Sequence, residues 1–444
     1  MKTNLNLIVG VGPRAVAMAL ALVYYTAFVS CYYYVISPTY DYYGMTLTSL
    51  PGWCWAASLV LALLPVTWMP VRLKRPSDFA SWFLYLCLIS PSIFVSLMVS
   101  SRPLDERLIL PAWLTASFLL FEAVRQRGRF VVPRIKGPAM MFSILLPLAM
   151  VGLSILILSY ADYRFDLSLS DSYERRMEAR DILQGRILLG YLLALLQSVF
   201  IPTAMIYGVH RRRWSFVALA FLSAAAIFSL EGSKAPILLP VALGAVVILA
   251  RKEGIRVGYW LPIALTMLVL FALAEAALLE TNYVAALVVR RLMAMPGLLT
   301  TYYWEYFSQN PYYMMSDSIV GGLLPFETLY KYPRSRLIGD LYFGDSEVNA
   351  NANIWASGFA DFGYLGMAFV SISAALFLKV IDSLCFRDKV VAASACAAAV
   401  SLVWVNSALH TSLLTGGALG LVLVLWLYPG EHWRRRRRAG GDLE

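Results

Sequence analysis

Residues 281–366 read TNYVAALVVRRLMAMPGLLTTYYWEYFSQNPYYMMSDSIVGGLLPFETLYKYPRSRLIGDLYFGDSEVNANANIWASGFADFGYLG. This stretch is a long polar and aromatic segment that leads into the start of a hydrophobic helix. Most of the remaining chain consists of apolar runs joined by short basic loops, and about twenty apolar residues span a bilayer as a helix. We therefore expect a membrane scaffold that carries its chemistry in this segment and in the helix ends facing it.

Composition supports the same class. The chain is 60% hydrophobic and 14% charged with a mean hydropathy of +0.67, whereas about a quarter of the residues in soluble domains are charged. We expect an all-α polytopic membrane protein. The five cysteines are scattered without a CxxC pair and there are three histidines, so neither a metal site nor a cofactor is expected.

Hydropathy predicts about twelve transmembrane helices, the first being a true span rather than a cleaved signal peptide. The predicted spans are 14–34, 52–71, 79–99, 108–124, 139–160, 186–207, 214–230, 235–250, 258–279, 356–381, 389–407 and 412–429.

Charge predicts the orientation. If both termini are inside, about two thirds of the 37 lysines and arginines fall on the inner side, as the positive-inside rule requires. The inner tail Arg434–Arg438 suits anionic lipid. The net charge of +10 therefore requires no nucleic-acid partner.

We interpret residues 1–444 as one membrane domain with two longer outer segments, an amphipathic segment at 161–185 and a large loop at 280–355. A shorter outer segment carries Tyr40, Tyr42 and Tyr43. These rings fit either an interfacial aromatic belt or a platform on which sugar rings stack.

Five outer cations lie near apolar helix ends and fit phosphate or diphosphate, which guanidinium groups bind through paired hydrogen bonds. They are Lys234, Arg290, Arg291, Arg334 and Arg336. The alternative is that they are ordinary loop cations paired with Glu280, Asp340 or Glu347.

Aromatic rings and amides near these cations are candidate glycan contacts, because rings stack on sugars and amides read hydroxyl groups. We single out Tyr303, Trp304, Asn351, Asn353, Trp355 and the outer histidine His410. An acid at membrane depth is a candidate functional residue, and Asp361 ranks before Glu231, with Glu275 weaker. Helix capping and interfacial solvation are the alternative for Asp361 and Glu231.

Three motifs resemble those of one family. GSKAPILLP (232–240) is similar to the G-S-[RK] turn of bacterial O-antigen and capsular polysaccharide polymerases (Wzy-type). RRLMAMPGLLTTYYWEYFSQNPYY (290–313) resembles the arginine-led helix that opens their large periplasmic loop, and NANANIWASGFADFGYLGM (349–367) resembles the segment that re-enters the membrane. The resemblance covers roughly residues 228–417.

The resemblance implies a GT-C-like glycosyltransferase of the bacterial inner membrane that works on the periplasmic side. It would join oligosaccharide repeat units carried on undecaprenyl diphosphate, without a metal or a nucleotide sugar, and a chain-length regulator is a further partner it allows. The family's loop arginine would be Arg290 or Arg291, and its turn cation would be Lys234. Arg291 would then stabilise the leaving diphosphate, Asp361 or Glu231 would be the general base, and Arg334 and Arg336 would hold the second diphosphate.

Three alternatives remain open. Related O-antigen ligases use a loop histidine, whereas His410 lies in a short turn between helices. A flippase or transporter for lipid-linked glycans would more often show an inverted repeat and broken helices. A structural membrane partner would not need so many loop cations and rings.

Overall fold

The computed structural model describes residues 12–133, 140–160, 165, 166, 168, 172–183, 186–232, 235–252, 254–318, 321, 329–385 and 390–428. These residues form helices joined by turns and loops, so the expected all-α class is confirmed for the described part. In chain order the helices are α1 (Pro13–Tyr43), α2 (Gly52–Thr67), α3 (Pro76–Val99), α4 (Ile109–Gln126), α5 (Phe142–Tyr160), α6 (Ser172–Leu183), α7 (Leu188–Arg211), α8 (Trp214–Glu231), α9 (Pro236–Ala250), α10 (Val257–Leu279), α11 (Ala285–Ala294, π-helical, continued by Met295–Phe307), α12 (Arg334–Phe343), α13 (Ile354–Leu384), α14 (Val390–Trp404) and α15 (Leu409–Trp426).

Eight of the described helices are long and apolar enough to cross a membrane, namely α1, α3, α5, α7, α8, α10, α13 and α15. The apolar helices α2, α9 and α14 are shorter. The remaining predicted span, 108–124, coincides with α4, which carries Glu122 and Arg125 near its end. Each predicted span overlaps a described helix, and eight of these helices can cross a membrane, so the chain is a multi-pass membrane protein. The number of twelve spans stays a prediction.

The helices pack around a continuous apolar core. Helix α13 lies against α4 and α11, α1 against α10, α3 against α14, and α7 against α8 and α9. Trp82, Trp355 and Trp404 are among the largest side chains that are fully buried. Helix α13 is therefore held on two sides, which matters because it carries the candidate acid Asp361.

A buried charge cluster fixes the end of α13 that lies farther from the 280–353 segment. Arg125 of α4 is completely buried and pairs with Glu122 at 2.7 Å and with Asp78 of α3 at 2.8 Å. Ser77 donates from its hydroxyl group to Asp382 of α13 at 2.6 Å. Buried charges are tolerated when they are paired and hydrogen-bonded, so this cluster joins α3, α4 and α13.

Helix α13 is broken, whereas the sequence predicted one continuous helix at 356–381. Phe362 has φ −146° and ψ 26°, and Gly363 has φ 61° and ψ −142°. The second pair of angles is open essentially to glycine alone. We call the part before the break α13a (354–361) and the part after it α13b (364–384).

The two parts of α13 are held together at close range. A Cβ added to Gly366 would lie 1.8 Å from the carbonyl oxygen of Gly358, so the two backbones touch there. The indole N–H of Trp355 in α13a donates to the hydroxyl oxygen of Ser371 in α13b at 2.8 Å. The close approach of Gly358 and Gly366 and this hydrogen bond therefore hold the two parts in their broken arrangement. Asp361 is the last residue before the break.

The segment predicted at 161–185 to be outer and amphipathic is described in part. Within α6, the guanidinium of Arg175 pairs with Asp166 and lies 5.1 Å from the ring centre of Phe228 in α8. The backbone N–H of Asp166 donates to the hydroxyl oxygen of Ser229 at 2.8 Å. The segment predicted at 161–185 is thus docked on the end of α8.

Candidate active site

The candidate site begins at the end of α13a. A helix end leaves backbone carbonyl groups without intrahelical partners, and loop residues supply donors to them here. The N–H of Tyr313 donates to Ala360 at 2.8 Å, and the N–H of Met314 donates to Asp361 at 3.3 Å. The break therefore creates a docking point for the segment that begins at Tyr313.

The carboxylate of Asp361 is held within the same contact. Its Oδ1 accepts from the backbone N–H of Met315 at 2.8 Å and from Nη2 of Arg334 at 2.7 Å. Only 5% of Asp361 is exposed. A buried carboxylate is thus fixed in place by one backbone donor and one guanidinium.

Arg334 joins two carboxylates, and we call Asp317, Arg334 and Asp361 the Arg334 cluster. Its Nε donates to the two carboxylate oxygens of Asp317 at 3.1 and 2.9 Å, and its Nη2 contacts both aspartates. Its Nη1 donates to the carbonyl oxygen of Ser357 in α13a at 3.0 Å. A cation at the carboxyl end of a helix also interacts favourably with the helix dipole.

The positive charge of Arg334 and the negative charges of the two aspartates stabilise one another. Burial alone would lower the pKa of Arg334, but hydrogen bonds and charge from Asp317 and Asp361 raise it above its usual range. Burial alone would raise the pKa of Asp317, but the hydrogen bonds and charge of Arg334 hold it below its ordinary value of 3.8. Arg334 is therefore a charged residue at all relevant pH values.

Arg334 is consequently not a free cation. It is 6% exposed, and each of its three nitrogens donates to a protein oxygen. The expectation that Arg334 holds a diphosphate is wrong for this conformation, because its charge is already neutralised by two carboxylates. Its place in the site is to position Asp361.

A cavity opens beside Asp361, and we call it the Asp361 cavity. Its volume is about 200 Å³, and its walls are mainly apolar side chains of α13 and α15. Asp361, Ser357, Ser373 and His410 supply the polar groups of the lining. Ligand pockets usually measure about 300–1,000 Å³, so this cavity admits a small group or one end of a larger ligand.

His410 is the second residue of α15 and lines the same cavity as Asp361. The sequence placed these two residues in different candidate groups, one a base and the other a glycan contact. The structure brings them together because α15 packs against α13. Asp317, which sequence reasoning did not single out, is joined to Asp361 through Arg334.

The cations of α11 lie elsewhere. The guanidinium of Arg290 is 4.3 Å from the ring centre of Tyr40 and 5.6 Å from that of Tyr43, which is a cation–π arrangement. These two tyrosines therefore contact an arginine, a role that neither the aromatic-belt nor the sugar-platform interpretation included. Arg291, beside Arg290, is exposed.

The remaining diphosphate candidates have different outcomes. Arg336 makes a solvent-exposed pair with Glu347 at 3.8 Å, which is the ordinary loop pairing considered as the alternative. Lys234 lies outside the described residues. Arg291 and Arg336 are thus the described candidates that remain exposed to solvent.

Several predicted glycan contacts are structural instead. Asn353 and Trp355 have no exposed surface, so the prediction that they touch a glycan is wrong for this conformation. The amide oxygen of Asn353 caps α13 by accepting from the N–H groups of Trp355 and Ala356 at 3.0 and 3.1 Å, and its Nδ2 donates to Thr300 at 2.6 Å.

Tyr303 and Trp304 are also buried, at 1% and 3% exposure. The hydroxyl of Tyr303 donates to the carbonyl oxygen of Ala350 at 3.0 Å, and the indole N–H of Trp304 donates to Tyr364 at 3.1 Å. Their predicted glycan contact is therefore wrong as well, since both rings join α11 to the segments around α13. Asn351 is exposed.

The other candidate acids stay near helix ends. Glu231 is the last residue of α8 and is partly buried. Glu275 accepts from the N–H groups of Tyr283 and Val284 at 2.8 Å each, so it caps the start of α11. Capping, the alternative considered for such acids, accounts for Glu275.

Comparisons with known protein families, curated proteins and solved structures find no match. Among the residues that the structure describes, no group of three or more His, Cys, Asp or Glu side chains could hold a metal ion.

Proposed function

We propose that the chain is a glycosyltransferase of the bacterial inner membrane that polymerises oligosaccharide repeat units carried on undecaprenyl diphosphate, acting on the periplasmic side. The observation that supports this most is the Arg334 cluster, which fixes a buried carboxylate on the wall of a cavity at the break in α13. Asp361 lies in the motif that resembles the polymerase family. A positioned carboxylate can act as a general base.

In the proposed reaction Asp361 accepts the proton of a sugar hydroxyl on the acceptor repeat unit. That oxygen forms a bond to the anomeric carbon of the donor glycan. The bond between this carbon and undecaprenyl diphosphate breaks, and the diphosphate leaves with the electron pair. Arg291, exposed at the start of α11, is the cation we assign to the developing diphosphate charge, which positioned cations stabilise.

A flippase or transporter for the same lipid-linked glycans is the second candidate. The break in α13 favours it, because discontinuous helices are a feature of transporters. A ligase-like transferase is a variant of the enzyme proposal, favoured by His410 in the lining of the Asp361 cavity.

The deciding experiment is the surface-glycan ladder of a strain from which the gene has been deleted. A polymerase predicts collapse of the ladder to a single repeat unit on its acceptor, because ligation and flipping continue. Complete loss of surface glycan would support the ligase or the flippase, and accumulated lipid-linked intermediates would distinguish those two. An unchanged ladder would contradict the glycan proposal.

A further inference from the structure

A second cavity lies at the end of the bundle that charge predicts to be cytoplasmic. Its volume is about 560 Å³, which is within the range of ligand pockets. Its lining includes Arg14 of α1, Arg72, Lys74 and Arg75 of the α2–α3 connection, and Asp78 of α3. We call it the basic cleft, and it plays no part in the proposed glycosyl transfer.

The basic cleft has an excess of positive charge. Its carboxylate, Asp78, is already bound by Arg125 at 2.8 Å and by the backbone N–H groups of Lys74 and Arg75 at 2.8 Å each. Within the described part of the chain no carboxylate pairs with the side chain of Arg14, Arg72 or Lys74. Four cations thus surround a space whose lining carboxylate, that of Asp78, is already bound by protein donors.

The connection that carries these cations is fixed. The N–H of Leu73 donates to Ile255 at 2.9 Å, and the N–H of Gly258 donates to Val71 at 3.0 Å. The indole N–H of Trp82 donates to Pro70 at 2.8 Å. Because these bonds anchor the backbone to α3 and to the start of α10, the cations are held around one concave site before any ligand binds.

The anchoring distinguishes the cleft from an ordinary basic loop. The positive-inside rule accounts for cations on this side of the membrane, but it does not require them to converge on one cavity. Arg75 is itself directed by a hydrogen bond from Nη1 to the carbonyl oxygen of Arg125 at 3.2 Å. Trp68, which also lines the cleft, is 61% exposed, as is usual for tryptophan at a membrane interface.

We propose that the basic cleft binds a phosphate-bearing anion. Guanidinium and ammonium groups converging on one site suit the oxygens of a phosphate. The phosphate can belong to the headgroup of an anionic lipid or to a soluble phosphate compound on this face. The chemistry is shared, and the two sources are separated by the test.

The test compares three full-length proteins purified in detergent: wild type, the cleft variant Arg72→Gln/Lys74→Gln, and the matched variant Arg213→Gln/Lys252→Gln. The matched variant removes two exposed cations that do not line the cleft. Native mass spectrometry measures retained phosphatidylglycerol against phosphatidylcholine, and thermal unfolding is followed with inorganic pyrophosphate.

For a lipid headgroup we expect wild type and the matched variant to retain phosphatidylglycerol and the cleft variant to retain at least about fivefold less. For a soluble phosphate, pyrophosphate should raise the unfolding midpoint of wild type and not that of the cleft variant. Equal behaviour of all three proteins towards both probes would overturn the proposal. If the cleft variant folds poorly, Lys74→Gln alone repeats the comparison, since Lys74 is exposed.

Discussion

Arg334 organises the candidate site through its contacts with Asp317, Ser357 and Asp361. The buried charge of Arg334 is compensated by ion pairs with Asp317 and Asp361. Removing one member of a buried ion pair leaves an uncompensated charge. Arg334 also joins the start of α12 to α13a, because its Nη1 donates to the carbonyl oxygen of Ser357. Its effect on function is therefore exerted through the position of Asp361.

Arg334→Lys tests this positioning role. Lysine keeps the positive charge but lacks the planar guanidinium group with its several N–H donors. At least one buried acceptor therefore loses its partner, which lowers stability by about 1–3 kcal/mol. We expect a lower midpoint of thermal unfolding and a ladder shortened towards one repeat unit. Arg336→Lys is the control, because its exposed pair with Glu347 contributes little. Equal results for the two variants would contradict the role given to Arg334.

The lowered pKa of Asp317 predicts how the contact between Asp317 and Arg334 depends on pH. Arg334 holds the pKa of Asp317 below its ordinary value of 3.8, so the stabilisation is fully present above that value and is lost as pH falls through the lower pKa of the folded state. Hydrogen exchange of the Arg334 backbone amide, which donates to Asp317 at 2.9 Å, should stay slow down to about pH 4 after correction for intrinsic rates. Asp317→Asn should exchange faster at every pH. A loss of protection between about pH 5 and 7 would contradict this assignment.

At the scale of the element, the break in α13 is the feature that produces the site. A glycine inside a helix costs only about 1 kcal/mol, so Gly358, Gly363 and Gly366 were compatible with the continuous helix expected from the sequence. The break depends on contacts between residues on either side of it, namely Gly358 with Gly366 and Trp355 with Ser371. Such contacts depend on the fold and cannot be found from hydropathy.

Gly363→Ala should disrupt the element. An alanine at φ 61° and ψ −142° is strained, by about 1–3 kcal/mol, and its Cβ would lie 2.6 Å from the hydroxyl oxygen of Tyr312. We expect a lower unfolding midpoint and loss of the long ladder. Gly152→Ala in α5 is the control, since its Cβ would meet nothing within 4 Å. A neutral Gly363→Ala variant would show that the break is not required.

At the scale of the whole molecule, hydropathy predicted where the helices lie, and side-chain chemistry predicted less well what each residue does. Each expected span overlaps a described helix because apolar length is a local property. Asn353 and Trp355 have the right chemistry for sugars, but which side of a helix faces the core depends on distant neighbours. Asp361 was singled out because an acid at membrane depth is costly, whereas Asp317 gave no comparable signal in its loop.

The predicted orientation can be tested by cysteine labelling in a variant whose five native cysteines are replaced by alanine. Lys331→Cys should react with a membrane-impermeant maleimide in intact cells. Arg129→Cys should react only after the membrane is permeabilised, because the positive-inside rule places it in the cytoplasm. Both positions are exposed. The reverse pattern would invert the topology and place the Asp361 cavity on the cytoplasmic side.

The proposed proton transfer by Asp361 is tested by the surface-glycan ladder of Asp361→Asn. The amide has nearly the same shape but cannot accept the proton, so polymerisation should fall at least about a hundredfold. We expect a single repeat unit on the acceptor, with normal amounts of inserted protein and a full ladder in the exposed control Asp340→Asn. A full-length ladder from Asp361→Asn would contradict the account.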